Sequence, residues 1–373
     1  MADLDPALYT IAWIAPLEIE AQAALHMLDH KHDGRFLTSR GNDYVFDAGD
    51  INGHNIIIAT LPMGQEYGTG SAAAISSQIK KFFPNLWFGL LVGVAAGLPN
   101  HEKDPPIDIR LGDVLVGMST DESPGLVAYD LGKETAHEFQ LLKGGRVLAH
   151  VETVVRSAIG SIKLSANDTE TFLPFYESVK NKHHSSGTFI DPGQEQDILY
   201  YRENPASAPK IMQRERRPSG QRTRVWYGSI GSGEKLTKNS QRRDYLRDTY
   251  NLIGLEMEAA GTMNRVPVGV IRGVCDYADE YKNKKWQPFA AAMAAAYAKA
   301  VLLRIGPGEA APKPMGLQKG MILCDLPART DRFFGREAEL LRIEECLEQP
   351  SSSLKSVVLC GISGSGKTQL ARE

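Results

Sequence analysis

Val268-Gly-Val-Ile-Arg-Gly-Val-Cys275 is an apolar, β-branched run that ends abruptly on Asp276. Such a run reads as a strand buried on both faces, and a carboxylate at its end stands at a sheet edge. Working outward, Leu252 to Leu255 is a second strand, followed by Glu256-Met257-Glu258 and a helix opening at Ala259. Further upstream the spacing predicts strands over Tyr9–Ala15, Phe88–Gly93, Asp113–Gly117 and Val225–Ile230. Asp43–Gly49 and His54–Leu61 read as a hairpin about Asn52-Gly53, the usual signal for a tight two-residue turn. Helices are predicted over Leu17–Asp29, Ser71–Phe83 and Gln287–Leu303. Apolar strands alternating with helices give an α/β fold, a three-layer arrangement with a mixed central sheet flanked by helices.

The 373 residues are 42% hydrophobic and 23% charged, with a formal net charge of -3. This balance argues against a nucleic-acid coat or a polybasic membrane binder, which need a basic excess. No run reaches the 18 or so apolar residues of a membrane span, and the acidic N-terminus lacks signal-peptide character. Four cysteines, Cys275, Cys324, Cys346 and Cys360, all fall in the last hundred residues without a CxxC pair, so a reducing compartment and a cytoplasmic location are expected. His30, His32 and His183-His184 lack metal-site spacing, and no metal is expected.

The reading divides the chain into a main domain over residues 8–305, a Gly/Pro/Ala/Lys-rich linker over 306–331, and a fragment over 332–373. That fragment carries Gly361-Ile-Ser-Gly-Ser-Gly-Lys-Thr368 after the apolar Val357-Val-Leu-Cys360. This is a phosphate loop: backbone amides around Gly361 and Gly366 cradle phosphates, Lys367 reaches the outer ones, and Thr368 ligates Mg²⁺. The sequence ends five residues after Thr368, so the expectation is an inactive remnant of an NTPase that continues beyond it. Together with Phe333-Phe-Gly-Arg-Glu337, the loop resembles the opening of an NB-ARC or NACHT switch domain of NLR-type immune receptors.

Within the main domain, carboxylates stand at three predicted strand ends: Glu18 and Glu20, Glu256 and Glu258, and Asp276. In α/β sheets ligands bind outside such ends, so the three groups are candidates to converge, although each also suits a helix N-terminus. Between Ala166 and Arg224 the chain turns polar, and Lys210, Arg214, Arg216, Arg217, Arg222 and Arg224 face only Glu215. Such a run reads as a solvated insertion loop, or as a phosphate contact through Arg214, Arg216 and Arg217.

Gly254-Leu-Glu-Met-Glu-Ala-Ala-Gly261 and Val270-Ile-Arg-Gly-Val-Cys-Asp-Tyr-Ala-Asp279 resemble the nucleoside phosphorylase superfamily, which includes methylthioadenosine/S-adenosylhomocysteine nucleosidases. Leu91–Gly97 and Ile109–Val116 are similar to two further segments, and Lys282–Ala290 resembles the version found in fungal NLR-like receptors. The resemblance implies that Asp276 is the general acid that protonates a purine at N7. A carboxyl doing this near neutrality has to keep its proton, which an apolar pocket behind Val274 and Cys275 favours. It further implies that Glu258 holds ribose hydroxyls, that Met257 packs under the sugar, and that Glu256, Met63, Gly64, Gly93, Val94 and Leu236 belong to the substrate site. Leu236 stands where related nucleosidases carry a stacking phenylalanine, so Tyr129, Phe139 or Trp226 is an alternative platform.

Glu18 aligns with the water-activating glutamate, with Glu20 as its competitor. Leu61–Ser71 contains no arginine, which disfavours phosphate as nucleophile and favours hydrolysis. The resemblance thus implies a purine nucleosidase acting on ATP or adenosine, an effector domain that needs no cofactor and forms a homo-oligomer. A phosphorylase and a non-catalytic nucleoside sensor are the alternatives.

Overall fold

In the computed structural model the described residues are 3–307, apart from 38–40, 42, 65–66, 121–122, 137–138, 143–150, 166–167 and 203–206. The chain divides into units Met1–Ala311 and Pro312–Glu373, and every described strand and helix belongs to the first. The expected phosphate loop, with Gly361, Gly366, Lys367 and Thr368, lies outside the described residues, as does nearly all of the expected linker.

The large sheet is built from β1 (Ile11–Ile14), β2 (His30–Lys31), β3 (Phe46–Ile51), β4 (His54–Ala59), β5 (Phe88–Gly97), β6 (Val114–Gly117), β7 (Leu126–Ala128), β8 (Val225–Ser232), β9 (Leu252–Glu256) and β10 (Val268–Asp276). Its order is β9-β8-β6-β10-β5-β1-β4-β3-β2, with β7 added to β8. Neighbours β10, β5, β1 and β4 run parallel, whereas β6 meets β10 antiparallel. Because β9 pairs with β5 as well as with β8, five strands close into a ring. That closure brings the C-terminal ends of β8 and β10 and the start of the turn after β9 to one side. The hairpin β3–β4 turns at Asn52 (φ 53°) and Gly53 (φ 76°), both left-handed as its two-residue turn requires.

The helices are α1 (Glu18–Met27), α2 (Thr69–Phe82), α3 (Thr153–Lys163), α4 (Leu173–Val179), α5 (Ser240–Tyr250), α6 (Ala259–Met263) and α7 (Gln287–Arg304). The alanine-rich α7 is buried almost all round, since small side chains let it lie close on β10 and β5 while α1, α3 and α4 pack on it. Helix α2 packs on α6, which rests against β10. The architecture is therefore a mixed central sheet flanked by helices. Among the described residues no helix is long and apolar enough to cross a membrane.

The polar insertion is not a bare loop. It holds α4 and the short hairpins His183–His184/Gly187–Thr188 and Tyr200–Tyr201/Lys210–Ile211. Nor are Arg214, Arg217 and Arg222 free for phosphate. Arg217 is buried, with Nη1 donating to Asp113 Oδ1 (2.7 Å) and Nη2 to Oδ2 (3.1 Å). Asp113 also accepts from the amides of Arg110 and Arg224 and from Trp226 Nε1. Arg214 pairs with Asp197 (2.9 Å) and donates to Tyr277 Oη, and Arg222 pairs with Asp191. Arg216 is exposed on the same segment. Arg214, Arg217 and Arg222 are balanced by aspartates outside the basic run, which a local charge count misses, and the Arg217–Asp113 pair staples the insertion to the sheet.

Removing one partner of such a buried pair leaves the other charge uncompensated. Arg217→Met is expected to cost about 3–5 kcal/mol of stability, read as a lower denaturant midpoint. A midpoint within error of the parent would show that the pair does not hold the insertion.

Candidate active site

Helix α1 begins where β1 ends, and its first turn carries both candidate glutamates. Residues two apart on a helix point about 200° from each other, so only one of them faces the sheet. That one is Glu20, buried on the side of Ala24 and Met27. Its Oε2 accepts from Leu17 N (2.8 Å), an orphan amide of the helix start, and its Oε1 from Val94 N (2.6 Å) in β5. Glu18 points outward, exposed, and accepts from Gln22 Nε2 one turn on (2.9 Å). The structure therefore does not bring Glu18 to the strand-end cluster; Glu20 occupies that place.

Gly93 explains how Glu20 fits. A Cβ there would lie 2.1 Å from Glu20 Oε1 and 2.6 Å from Arg272 Nη1, so the carboxylate and the guanidinium occupy the space a side chain would take.

Arg272, in the middle of β10 and fully buried, is the centre of the cluster. Its Nη2 donates to Glu256 and to Glu258 Oε2 (3.0 Å), and its Nη1 lies 3.9 Å from Glu20 Oε1. Glu256 is spent on structure, accepting also from the amides of Glu258 and Ala259 at the start of α6. Met257 beside it is half-buried. One guanidinium thus serves three carboxylates. Burial pushes Glu258 up to about 7: Arg272 opposes the shift, while Glu256 and Glu20 add to it. Burial likewise raises Glu20, against the pull of Arg272 and its two amide hydrogen bonds.

Asp276 ends β10, paired in register with Ala96 and almost wholly buried. Its Oδ1 accepts from Ala278 N (2.9 Å), and its Oδ2 from Cys275 Sγ (3.2 Å) and Lys282 Nζ (2.9 Å). Lys282 also feels Glu258, and the Cys275 thiol, raised chiefly by burial and then by Asp276, feels Glu20. The Glu20, Glu258 and Asp276 carboxylates therefore share one electrostatic neighbourhood at the strand ends.

Other expected members stand elsewhere. Met63 is 96% exposed on the segment between β4 and α2, where Gly64 has φ 115°. Val94 contributes its amide to Glu20. Leu236, 48% exposed, lines a cavity of about 560 Å³ beyond the end of β8 with Tyr129 and Phe139. Trp226, by contrast, sits near the start of β8 and is committed to Asp113. Sequence reasoning passed over Arg272 and Lys282. A lone arginine inside an apolar β-branched strand is itself a signal, because a buried cation demands anionic partners.

No family model matches the chain. It is 34% identical over 379 residues to a protein of Hyaloscypha variabilis called a nucleotide-binding leucine-rich repeat (NLR)-like protein, covering 99% of this chain and 36% of the relative. The chain thus spans about a third of that relative's length. Among solved structures it resembles the 5′-methylthioadenosine/S-adenosylhomocysteine nucleosidase of Neisseria meningitidis bound to methylthio-immucillin-A (TM-score 0.51, 18% identity, 79% of this chain and 99% of that one). It also resembles the futalosine hydrolase of Helicobacter pylori (TM-score 0.52, 16% identity, 80% and 99%). At these identities the likeness shows the fold, that of the nucleoside phosphorylase and nucleosidase proteins.

The cluster makes a pH prediction. A carboxyl whose folded value lies above its ordinary 4.5 binds its proton more tightly in the native state. The resulting stabilisation is complete below about 4.5 and is lost as pH rises through about 7. Glu258→Gln is expected to flatten the fall in unfolding free energy across that window. An unchanged pH slope would contradict the raised Glu258.

Proposed function

We propose that this domain hydrolyses the N-glycosidic bond of purine nucleosides or nucleotides, with adenosine and ATP as the first substrates to test. The observation that carries the reading is the gathering at one set of strand ends of Glu20 and Glu258, which share Arg272, with Asp276, which is paired to Lys282. The nucleosidases and the hydrolase with the same fold support it, and the NLR-like relative supports a place in a longer immune-type receptor.

Asp276 delivers a proton to N7, so that the base leaves neutral as C1′–N9 breaks. Glu258, fixed by Arg272, holds the ribose hydroxyls, with Met257 beneath the sugar. Glu20 takes a proton from the water that attacks C1′. Its burial beside two other carboxylates raises its basicity, which suits a general base working near neutral pH. The division of labour parallels glycosidases, where one carboxyl protonates the leaving group and another activates water. Hydrolysis is favoured over phosphorolysis because the cation nearest Glu20, Arg272, is already shared among three carboxylates. The buried insertion arginines Arg214 and Arg217 are likewise engaged by aspartates.

Free base released from adenosine and ATP, followed by chromatography, tests the assignment. Glu20→Gln and Asp276→Asn are each expected to lower kcat by about 10²- to 10⁴-fold, the usual contribution of a positioned acid or base. Glu18→Gln should stay within about threefold of the parent, as expected for an exposed side chain away from the chemistry. Loss in Glu18→Gln with retention in Glu20→Gln would reverse the assignment.

A further inference from the structure

Lysines on surface loops ordinarily keep their ammonium in water. Lys282 does not: its side chain is only 20% exposed, and its Nζ sits 2.9 Å from Asp276 Oδ2. Burial works against the ammonium, yet Asp276, with Cys275 and Glu258, holds its pKa above the ordinary lysine value. The loop that carries it is held from several directions. Tyr277 Oη is hydrogen-bonded to Asp197, Arg214 and Leu111 N; Tyr281 stacks on Tyr200 with ring centroids 3.8 Å apart. Lys285 donates to Gln196, and Trp286 is buried beneath the Arg222 guanidinium. Most of these partners belong to the insertion, so the segment that seemed an appendage fixes where this ammonium lies.

We infer that Lys282 is a positioning residue that acts through Asp276, supplying the proton that Asp276 passes to the leaving purine. The inference rests on the glycosidic-bond reading above. The groups facing the pair are Cys275 and Asp279 on its own segment, Glu20 from α1 and Glu258 from the start of α6. These four are acids; Arg243 from α5 faces Asp279, and Lys282 is the cation in contact with Asp276. In the free site the proton resides on Nζ. As C1′–N9 breaks and its electron pair stays with the base, the purine becomes strongly basic. An Nζ–H bond then breaks, a proton moves onto the Asp276 carboxylate, and from there an N7–H bond forms. The proton that water gives up to Glu20 returns to the amine through solvent, so one nucleoside and one water become one free base and one sugar.

The test compares two leaving groups: adenosine, whose base must be protonated, and 4-nitrophenyl β-D-ribofuranoside, whose phenolate leaves unaided. Lys282→Met is expected to lose about 100-fold or more on adenosine, the scale of general-acid catalysis, and to stay within about threefold on the nitrophenyl riboside. Equal losses of Lys282→Met on both substrates would mark a merely structural lysine and overturn the inference.

Lys282→Arg keeps the ion pair and guards against a variant that fails to fold. Because a guanidinium does not give up its proton, this variant should remain as slow on adenosine as the methionine variant. Restored adenosine cleavage in Lys282→Arg would reduce Lys282 to a fixed charge and refute proton supply. Failure of the parent protein on both substrates would instead remove the glycosidic-bond reading itself, and the inference with it.

Discussion

A single buried guanidinium governs this molecule. Arg272 lies in the central strand β10 with no exposure, and its charge is compensated only because Glu20 comes to it from α1 and Glu256 and Glu258 from the end of β9 and the turn after it. A buried, unpaired charge costs several kcal/mol even after relaxation, so each arrival is coupled to the others. Gly93 must lack a side chain, α1 must start where Glu20 reaches β5, and α6 must start on the Glu256 carboxylate. Three carboxylates share one cation, and burial makes Glu20 and Glu258 more basic than ordinary carboxylates. The same constraint that organises the fold thus prepares proton-accepting groups.

The topology supplies the rest. Parallel pairing of β1, β5 and β10 sends their C-terminal ends the same way. The antiparallel contact of β9 with β5 then folds the Glu256–Glu258 turn back over them. Carboxylates about 240 residues apart in sequence become neighbours. The insertion contributes through aspartate–arginine pairs that anchor it beneath Asp113 and beside Tyr277. Its stacking on Tyr281 extends that hold to the loop bearing Lys282.

Much of this was legible in the sequence. Apolar runs located the main strands to within a few residues, although β5 continues to Gly97, past the predicted end at Gly93, because it must reach both β10 and β9. Helices α3, α4 and α5 and the three-residue β7 were not read: α5 is polar over most of its surface, and β7 is too short to show a period. The choice between Glu18 and Glu20 was open in the linear motif; helical phase shows which of them faces the sheet, since Glu20 shares a face with Ala24 and Met27. Arg214 and Arg217 misled because their ion-pair partners, Asp197 and Asp113, lie outside the basic run. Lys282 opened a segment read for its resemblance, but its contact was not legible, as only the folded loop turns it onto Asp276.

The central claim is that Glu20 drives water, and not phosphate, onto C1′. Turnover of adenosine in ¹⁸O-labelled water, with and without added phosphate, tests it most directly by mass spectrometry of the released sugar. The predicted result is one solvent oxygen at C1′ and a rate indifferent to phosphate. Base release that requires phosphate, with a sugar 1-phosphate as product and no label at C1′, would contradict it.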